Sequence, residues 1–209
     1  NTMTRPPGVF SPDGTTLYCS GSDSVYAIST DGEIRWGYYT SKGYLNLMVD
    51  NSGYLYFHNP SDSVFTCLTS EGVVRWGNHL IDYDLVRIRS YNAPTMDYLG
   101  NLYYLAVNSG WEHGIVSLTN EGDYRWFWGE SSPEAFGSDL ISDKNNSIYF
   151  GYAVEDDLNV FSISSDGVSN WETTIDNIAR YSDEPCIRSD SKMVLTMQND
   201  WSNPIIVIN

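Results

Sequence analysis

The stretch STDGEIRWG at residues 29–37 returns three times along the chain, as TSEGVVRWG (69–77), TNEGDYRWF (119–127) and SSDGVSNWE (164–172). Each copy pairs a glycine with a tryptophan four residues later: Gly32 with Trp36, Gly72 with Trp76, Gly122 with Trp126 and Gly167 with Trp171. A polar Gly turn leading into a short run of β-forming residues is the signature of a hairpin.

Upstream of the first copy lie TTLYCSG (15–21) and SVYAIST (24–30), and before them GVFSP with a turn at Asp13-Gly14; with EIRWGYY (33–39) these make four short β segments. The pattern then restarts. Second-strand residues Tyr18, Tyr56, Tyr103, Tyr149 and Val194, like the four tryptophans, recur at intervals of about 40 to 50 residues, and four strands per period is the pattern of propeller blades. The expected fold is all-β: a β-propeller of four-stranded antiparallel blades at about 8–40, 44–80, 93–130, 138–176 and 184–209, forming one propeller domain or a segment of one. The fifth unit ends before its tryptophan, so its outer strand is expected from a longer parent chain or from elsewhere. One four-stranded sheet buries little alone, so the repeated tryptophans are read as buried wedges between neighbouring sheets. Five residues before each repeat glycine stand Ala27, Cys67, Ser117 and Ser162, all small, as expected where a strand passes under a bulky ring.

Composition narrows the function. Eleven basic residues against 27 acidic ones give a formal charge of −16, which repels phosphate backbones and anionic membranes, so nucleic-acid binding is not expected. No run of about twenty apolar residues is present to span a bilayer as a helix. The acidic, Tyr-rich and Asn-rich composition fits an exported or cell-surface protein, and the start at Asn1 fits a processed or excised chain. Asn145-Asn146-Ser147 is a glycosylation triplet in an expected turn. Cys19, Cys67 and Cys186 form no CxxC pair and are read as small strand residues.

The repeated small residue, turn and G-x-x-x-W resemble the PQQ-like repeat family, the β-propellers of quinoprotein alcohol dehydrogenases and of the outer-membrane assembly lipoprotein. That resemblance spans nearly the whole chain and implies that each Gly–Trp pair ties adjacent blades together. It implies scaffolds as readily as dehydrogenases. The dehydrogenases of the family carry about eight blades, a vicinal cysteine pair and a calcium site beside the quinone, whereas the cysteines here are far apart. No cofactor is therefore expected, PQQ least of all, and a PQQ-dependent dehydrogenase fragment is kept only as a further alternative.

No catalytic motif stands out. His58, His79 and His113 lack metal-ligand spacing, and no GxSxG is present. The turns at Asp13-Gly14, Asp50 to Gly53 and Asp143 to Ser147 could offer oxygens to calcium, but none has the EF-hand spacing, and backbone-closing turn chemistry is the expected role. The irregular loops hold the remaining candidates: residues 59–62, 109–114, 155–157 and 199–203, and the blade links at 38–44, 78–84 and 129–134. Within them Trp111, His113, Trp201, Tyr83 and His79 are the expected ligand-binding residues, because aromatic rings beside carboxylates and amides suit glycan or peptide capture. The expected function is a non-catalytic binding or scaffolding module with a protein or ligand partner; a lectin-like carbohydrate-binding propeller is the alternative.

Overall fold

The computed structural model describes residues 8–40, 45–59, 63–88, 93–130, 136–137, 139–154, 157–176, 186–187, 193–196 and 205–208. The chain divides into two compact units, Asn1–Ser90 and Tyr91–Asn209. In the first unit, β1 (Val9–Phe10), β2 (Thr16–Ser20), β3 (Ser24–Ser29) and β4 (Ile34–Tyr39) form one antiparallel sheet in chain order. A second follows from β5 (Met48–Val49), β6 (Leu55–Asn59), β7 (Val64–Leu68) and β8 (Val74–His79), and the unit closes with a 3-10 turn (Leu80–Tyr83) and β9 (Leu85–Ile88).

The second unit repeats the plan. Its first sheet, sheet 3, runs β10 (Thr95–Met96), β11 (Leu102–Asn108), β12 (His113–Leu118) and β13 (Tyr124–Glu130). Sheet 4 contains β14 (Phe136–Gly137), β15 (Ile141–Ser142), β16 (Ile148–Val154), β17 (Asp157–Ile163) and β18 (Ser169–Ile175), with both β14 and β15 paired to β16. Sheet 5 holds β19 (Cys186–Ile187), β20 (Met193–Thr196) and β21 (Ile205–Ile208). Among the described residues there is no α-helix.

One row of directly opposed residues crosses each of sheets 1 to 4. In sheet 1 it runs Val9, Tyr18, Ala27, Trp36. Met48, Tyr56, Cys67 and Trp76 form it in sheet 2. Thr95, Tyr103, Ser117 and Trp126 form it in sheet 3, and Ile141, Tyr149, Ser162 and Trp171 in sheet 4. The small third residue lets the rings on either side of it meet: Tyr18 and Trp36 lie 5.7 Å apart, Tyr56 and Trp76 6.0 Å, Tyr103 and Trp126 5.7 Å, and Tyr149 and Trp171 6.0 Å. A large side chain at Ala27, Cys67, Ser117 or Ser162, all buried, would stand between them.

Immediately before each tryptophan the register slips by one residue, a β-bulge. The extra residue is Arg35, Arg75, Arg125 or Asn170. Three of these side chains turn back onto their own sheet: Arg35 Nη1 donates to Thr16 Oγ1 at 2.6 Å, Arg125 Nη1 to Ser117 Oγ at 2.8 Å, and Asn170 Nδ2 to Ser162 Oγ at 3.1 Å. Arg75 lies over the Tyr54 ring, 4.4 Å from its centre.

Within each unit, the tryptophan-bearing row of one sheet packs on the opposite face of the next. Trp36 lies against Gly72, where a β-carbon would come within 2.6 Å of the indole, and its Nε1–H donates to the Ser70 carbonyl at 2.8 Å. Trp126 does the same with Gly167 and the Ser165 carbonyl, at 2.8 and 2.9 Å. Around these contacts Tyr18, Val25 and Ala27 of sheet 1 meet Leu55, Phe57 and Leu68 of sheet 2. In the second unit Tyr103, Leu105 and Ile115 meet Ile148, Phe150 and Phe161. This two-sided packing explains why every residue of β6 is buried, in place of the alternation expected of a strand with one wet face. The four repeat tryptophans are half-buried, short of the full burial expected from sequence. Each sits on the outermost strand of its sheet, so part of the indole stays at the solvent edge.

Candidate functional site

The hairpin joining β11 to β12 carries the sharpest departure from the rules that shape the rest of the molecule. Asn108 opens it: its amide Oδ1 accepts the Glu112 N–H at 2.9 Å, its carbonyl accepts the Trp111 N–H at 3.1 Å, and its Nδ2 donates to Glu112 Oε2 at 2.6 Å. The hairpin turns at Asp50, Asp97 and Asp143 close in the same way. In those turns the fourth residue has positive φ and is Gly53, Gly100 or Asn146, the residue types that tolerate it. In the β11–β12 hairpin that position, at φ 63°, is Trp111. The neighbouring Gly110, which could have taken the left-handed conformation freely, does not have positive φ.

A bulky side chain in this conformation costs about 1–2 kcal/mol relative to Gly. Packing does not return it, because Trp111 is 71% exposed. The result is an indole held out at a hairpin tip by a turn closed through Asn108, with Glu112 and half-buried His113 at its base. Sequence reading singled out Trp111 and His113 but had no means of seeing the φ angle; with SGWE, glycine would be placed at the left-handed position.

The other expected site residues divide between the units. His79 precedes the 3-10 turn of the first unit and Tyr83 ends it, with the His79 N–H bonded to Asp82 Oδ2 at 3.3 Å. His79 is exposed, while the Tyr83 ring packs 5.9 Å from Phe65 and is half-buried, so Tyr83 is partly structural. Trp201 lies outside the described residues, as do residues 41–44, 60–62, 131–134 and 155–156 of the candidate loops.

Several groups with displaced acidity lie in the packed sheets, away from the loop tips. His58 is buried against Phe65, neither ring nitrogen has a hydrogen-bond partner among the described residues, and burial pushes its pKa down to about 4. Burial pushes the Cys67 thiol up to about 11, and Cys19 and Cys67 are both free. Burial, with a hydrogen bond to Asp97, raises the Tyr103 hydroxyl well above the usual range, and Tyr56 is raised by burial and its bond to Asp50. The turn aspartates spend their oxygens internally: Asp97 Oδ1 accepts the Leu99 and Asn101 N–H groups and Oδ2 accepts the Tyr103 hydroxyl at 2.7 Å. Among the described residues no group of three or more His, Cys, Asp or Glu side chains is arranged to hold a metal.

No protein-family model matches the chain, and no curated protein sequence matches it significantly. Solved structures do match in fold. The Dos1 propeller superposes with a TM-score of 0.67 at 10% identity, over 90% of this chain and 51% of that one. Virginiamycin B lyase from Staphylococcus aureus gives 0.65 at 14% identity, over 100% and 72%, and the Pan2 WD40 domain of Neurospora crassa gives 0.61 at 10%, over 96% and 59%. The chain therefore spans about half the length of the Dos1 propeller. Its fold class is the all-β propeller of antiparallel four-stranded blades. At these identities the likeness shows the fold alone, and the matching structures include a lyase as well as a WD40 domain.

Proposed function

We propose that the chain is a non-catalytic β-propeller module of an exported or cell-surface protein, built from PQQ-like repeats, and that it binds a partner through the Trp111 hairpin. The observation that carries this reading is the exposed indole in a left-handed conformation that the turns opened by Asp50, Asp97 and Asp143 give to Gly or Asn. Strain retained at an exposed position is characteristic of a functional side chain, and an exposed tryptophan is the most productive single anchor for a protein or glycan surface. The PQQ-like assignment is supported by the Trp36–Gly72 and Trp126–Gly167 contacts, in which one sheet's tryptophan lies on the next sheet's turn glycine. The non-catalytic reading is supported by the burial of His58, Cys67, Tyr56 and Tyr103 in packed strands, away from any substrate.

Trp111→Gly tests it. Removing the indole relieves about 1–2 kcal/mol of backbone strain and gives up little packing, so the variant should be as stable as the parent or more stable by up to about 2 kcal/mol. Binding to a defined extracellular protein set or to a glycan array should be lost. Glycan recognition that disappears with Trp111 would select the lectin-like form of the proposal. Binding that survives Trp111→Gly, or turnover of an alcohol by the protein supplied with PQQ and calcium, would overturn the proposal.

A further inference from the structure

Sheets 2, 3 and 4 share a polar chain at their first hairpin. Asp50, Asp97 and Asp143 each accept two turn N–H groups on Oδ1 and the hydroxyl of Tyr56, Tyr103 or Tyr149 on Oδ2, at 2.9, 2.7 and 3.1 Å. In sheet 3 the chain continues: Arg125 donates to the Tyr103 hydroxyl at 3.3 Å and to Ser117 at 2.8 Å, and reaches Asp166 of sheet 4 at 3.8 Å.

Sheet 1 keeps the tyrosine and the arginine, as Tyr18 and Arg35, but has lost their acceptors. The register of β1 on β2 places Ser11 where the other sheets have aspartate. Ser11 Oγ does the work of Oδ1, accepting the Thr16 N–H at 3.0 Å, and the side chain has no counterpart of Oδ2. Ala27 stands where sheet 3 has Ser117. Among the described residues, Tyr18 has no hydroxyl partner and Arg35 has only Thr16 Oγ1. In the place of the polar chain the first unit has an open cleft of about 680 Å³, into which Ser11, Asp13, Tyr18, Arg35, Ser70 and Glu71 all face.

The charges of the cleft select its ligand. Arg35 supplies one cation beside the Tyr18 hydroxyl, and Asp13 and Glu71 supply two exposed carboxylates. Both carboxyls are held below their usual range, Asp13 first by the Ser11 hydroxyl and Glu71 first by the Ser70 hydroxyl, so both are charged at neutral pH. A simple anion would satisfy Arg35 against the repulsion of two carboxylates, and a neutral sugar would gain from neither sign of charge. Nor is Trp36 free to stack on a sugar, since Gly72 and Tyr18 contact its ring and Ser70 holds its N–H.

We infer that this cleft binds a free α-amino acid: its carboxylate accepts from Tyr18, as Asp97 accepts from Tyr103 in sheet 3, and also from Arg35, and its ammonium faces Asp13 and Glu71. The inference stands apart from the Trp111 hairpin, which lies in the other unit. Calorimetric titration of the full chain with L-alanine, L-lysine, acetate and D-glucuronate tests it. L-Alanine and L-lysine should bind, with acetate and glucuronate weaker by roughly tenfold or more, the loss expected when one charge-assisted contact is replaced by repulsion. Arg35→Gln should weaken L-alanine binding by about tenfold or more. Ser11→Asp restores the aspartate of the other sheets, and should abolish binding while leaving the thermal midpoint unchanged or raised. No heat from either amino acid, acetate or glucuronate binding as tightly as L-alanine, or Ser11→Asp leaving affinity intact would each overturn the assignment.

Discussion

Gly72 and Gly32 occupy the same position of the same turn, with φ of +77° and +85°, yet a β-carbon on Gly72 would come within 2.6 Å of the Trp36 ring while one on Gly32 meets no described atom within 4 Å. Replacing each by alanine therefore separates backbone strain from contact between sheets. Gly32→Ala should cost only the left-handed conformation, about 1–2 kcal/mol. Gly72→Ala carries that cost and a second one, because the indole must withdraw by several tenths of an ångström to restore ordinary contact. That movement stretches the 2.8 Å bond from Trp36 Nε1 to Ser70 and loosens the Tyr18–Trp36 pair. Overpacking of this kind costs about 1–3 kcal/mol, so Gly72→Ala should destabilise by about 2–5 kcal/mol in all. Gly167→Ala, which meets Trp126 at 2.8 Å, should behave like Gly72→Ala. Urea unfolding read by tryptophan fluorescence measures the three variants on one scale. Equal losses for Gly32→Ala and Gly72→Ala would show that the indole yields freely, and the view of Trp36 as a rigid tie between sheets would fail.

Three further outcomes follow from the same geometry. Tyr103→Phe leaves the buried Asp97 Oδ2 short of a donor and should cost about 1–3 kcal/mol, whereas Tyr18→Phe, with no acceptor to orphan, should cost less than about 0.5 kcal/mol in the same unfolding assay. His58 is held neutral in the folded state with a pKa of about 4, below its ordinary unfolded value near 6.5, so the unfolded chain binds the extra proton. Stability is then full above about pH 6.5 and falls as pH drops toward 4, by up to about 3 kcal/mol, and His58→Phe should flatten the pH dependence of the urea midpoint over that window. Cys67→Ser should stay within about 1 kcal/mol, because Ser117 and Ser162 hold the same place between tyrosine and tryptophan and accept from the bulge residue; a loss above about 2 kcal/mol would show that Arg75 does not serve the hydroxyl as Arg125 does.

The spacing of Gly32, Trp36 and their copies was enough to anticipate antiparallel four-stranded units, because a repeat of that length cannot bury its own faces and must stack. The small residues Ala27, Cys67, Ser117 and Ser162 were equally legible, since a ring on each neighbouring strand leaves room for little else. The arginine before three of the four repeat tryptophans was visible as a letter but not as a role. Only the bulge, which inserts Arg35 or Arg125 as an unpaired residue, turns that side chain onto the tryptophan's side of the sheet. The half-burial of the tryptophans was likewise undecidable from spacing, because it depends on which strand of each sheet is outermost.

The site was less legible than the fold. The sequence by itself determined that Trp111 stands outside the repeat, and therefore outside the packing that explains the other tryptophans. Tertiary structure decided that Trp111, and not Gly110, takes the left-handed position, because the register of β11 on β12 counts the turn from Asn108. It also decided that Ser11 answers to Asp50, Asp97 and Asp143. The β1–β2 turn is one residue longer than its counterparts, so the correspondence appears only when strands are matched through their hydrogen bonds. Periodic packing is written in residue identity at fixed spacing, whereas a strained tip and an unmatched arginine are properties of how those spacings meet in space.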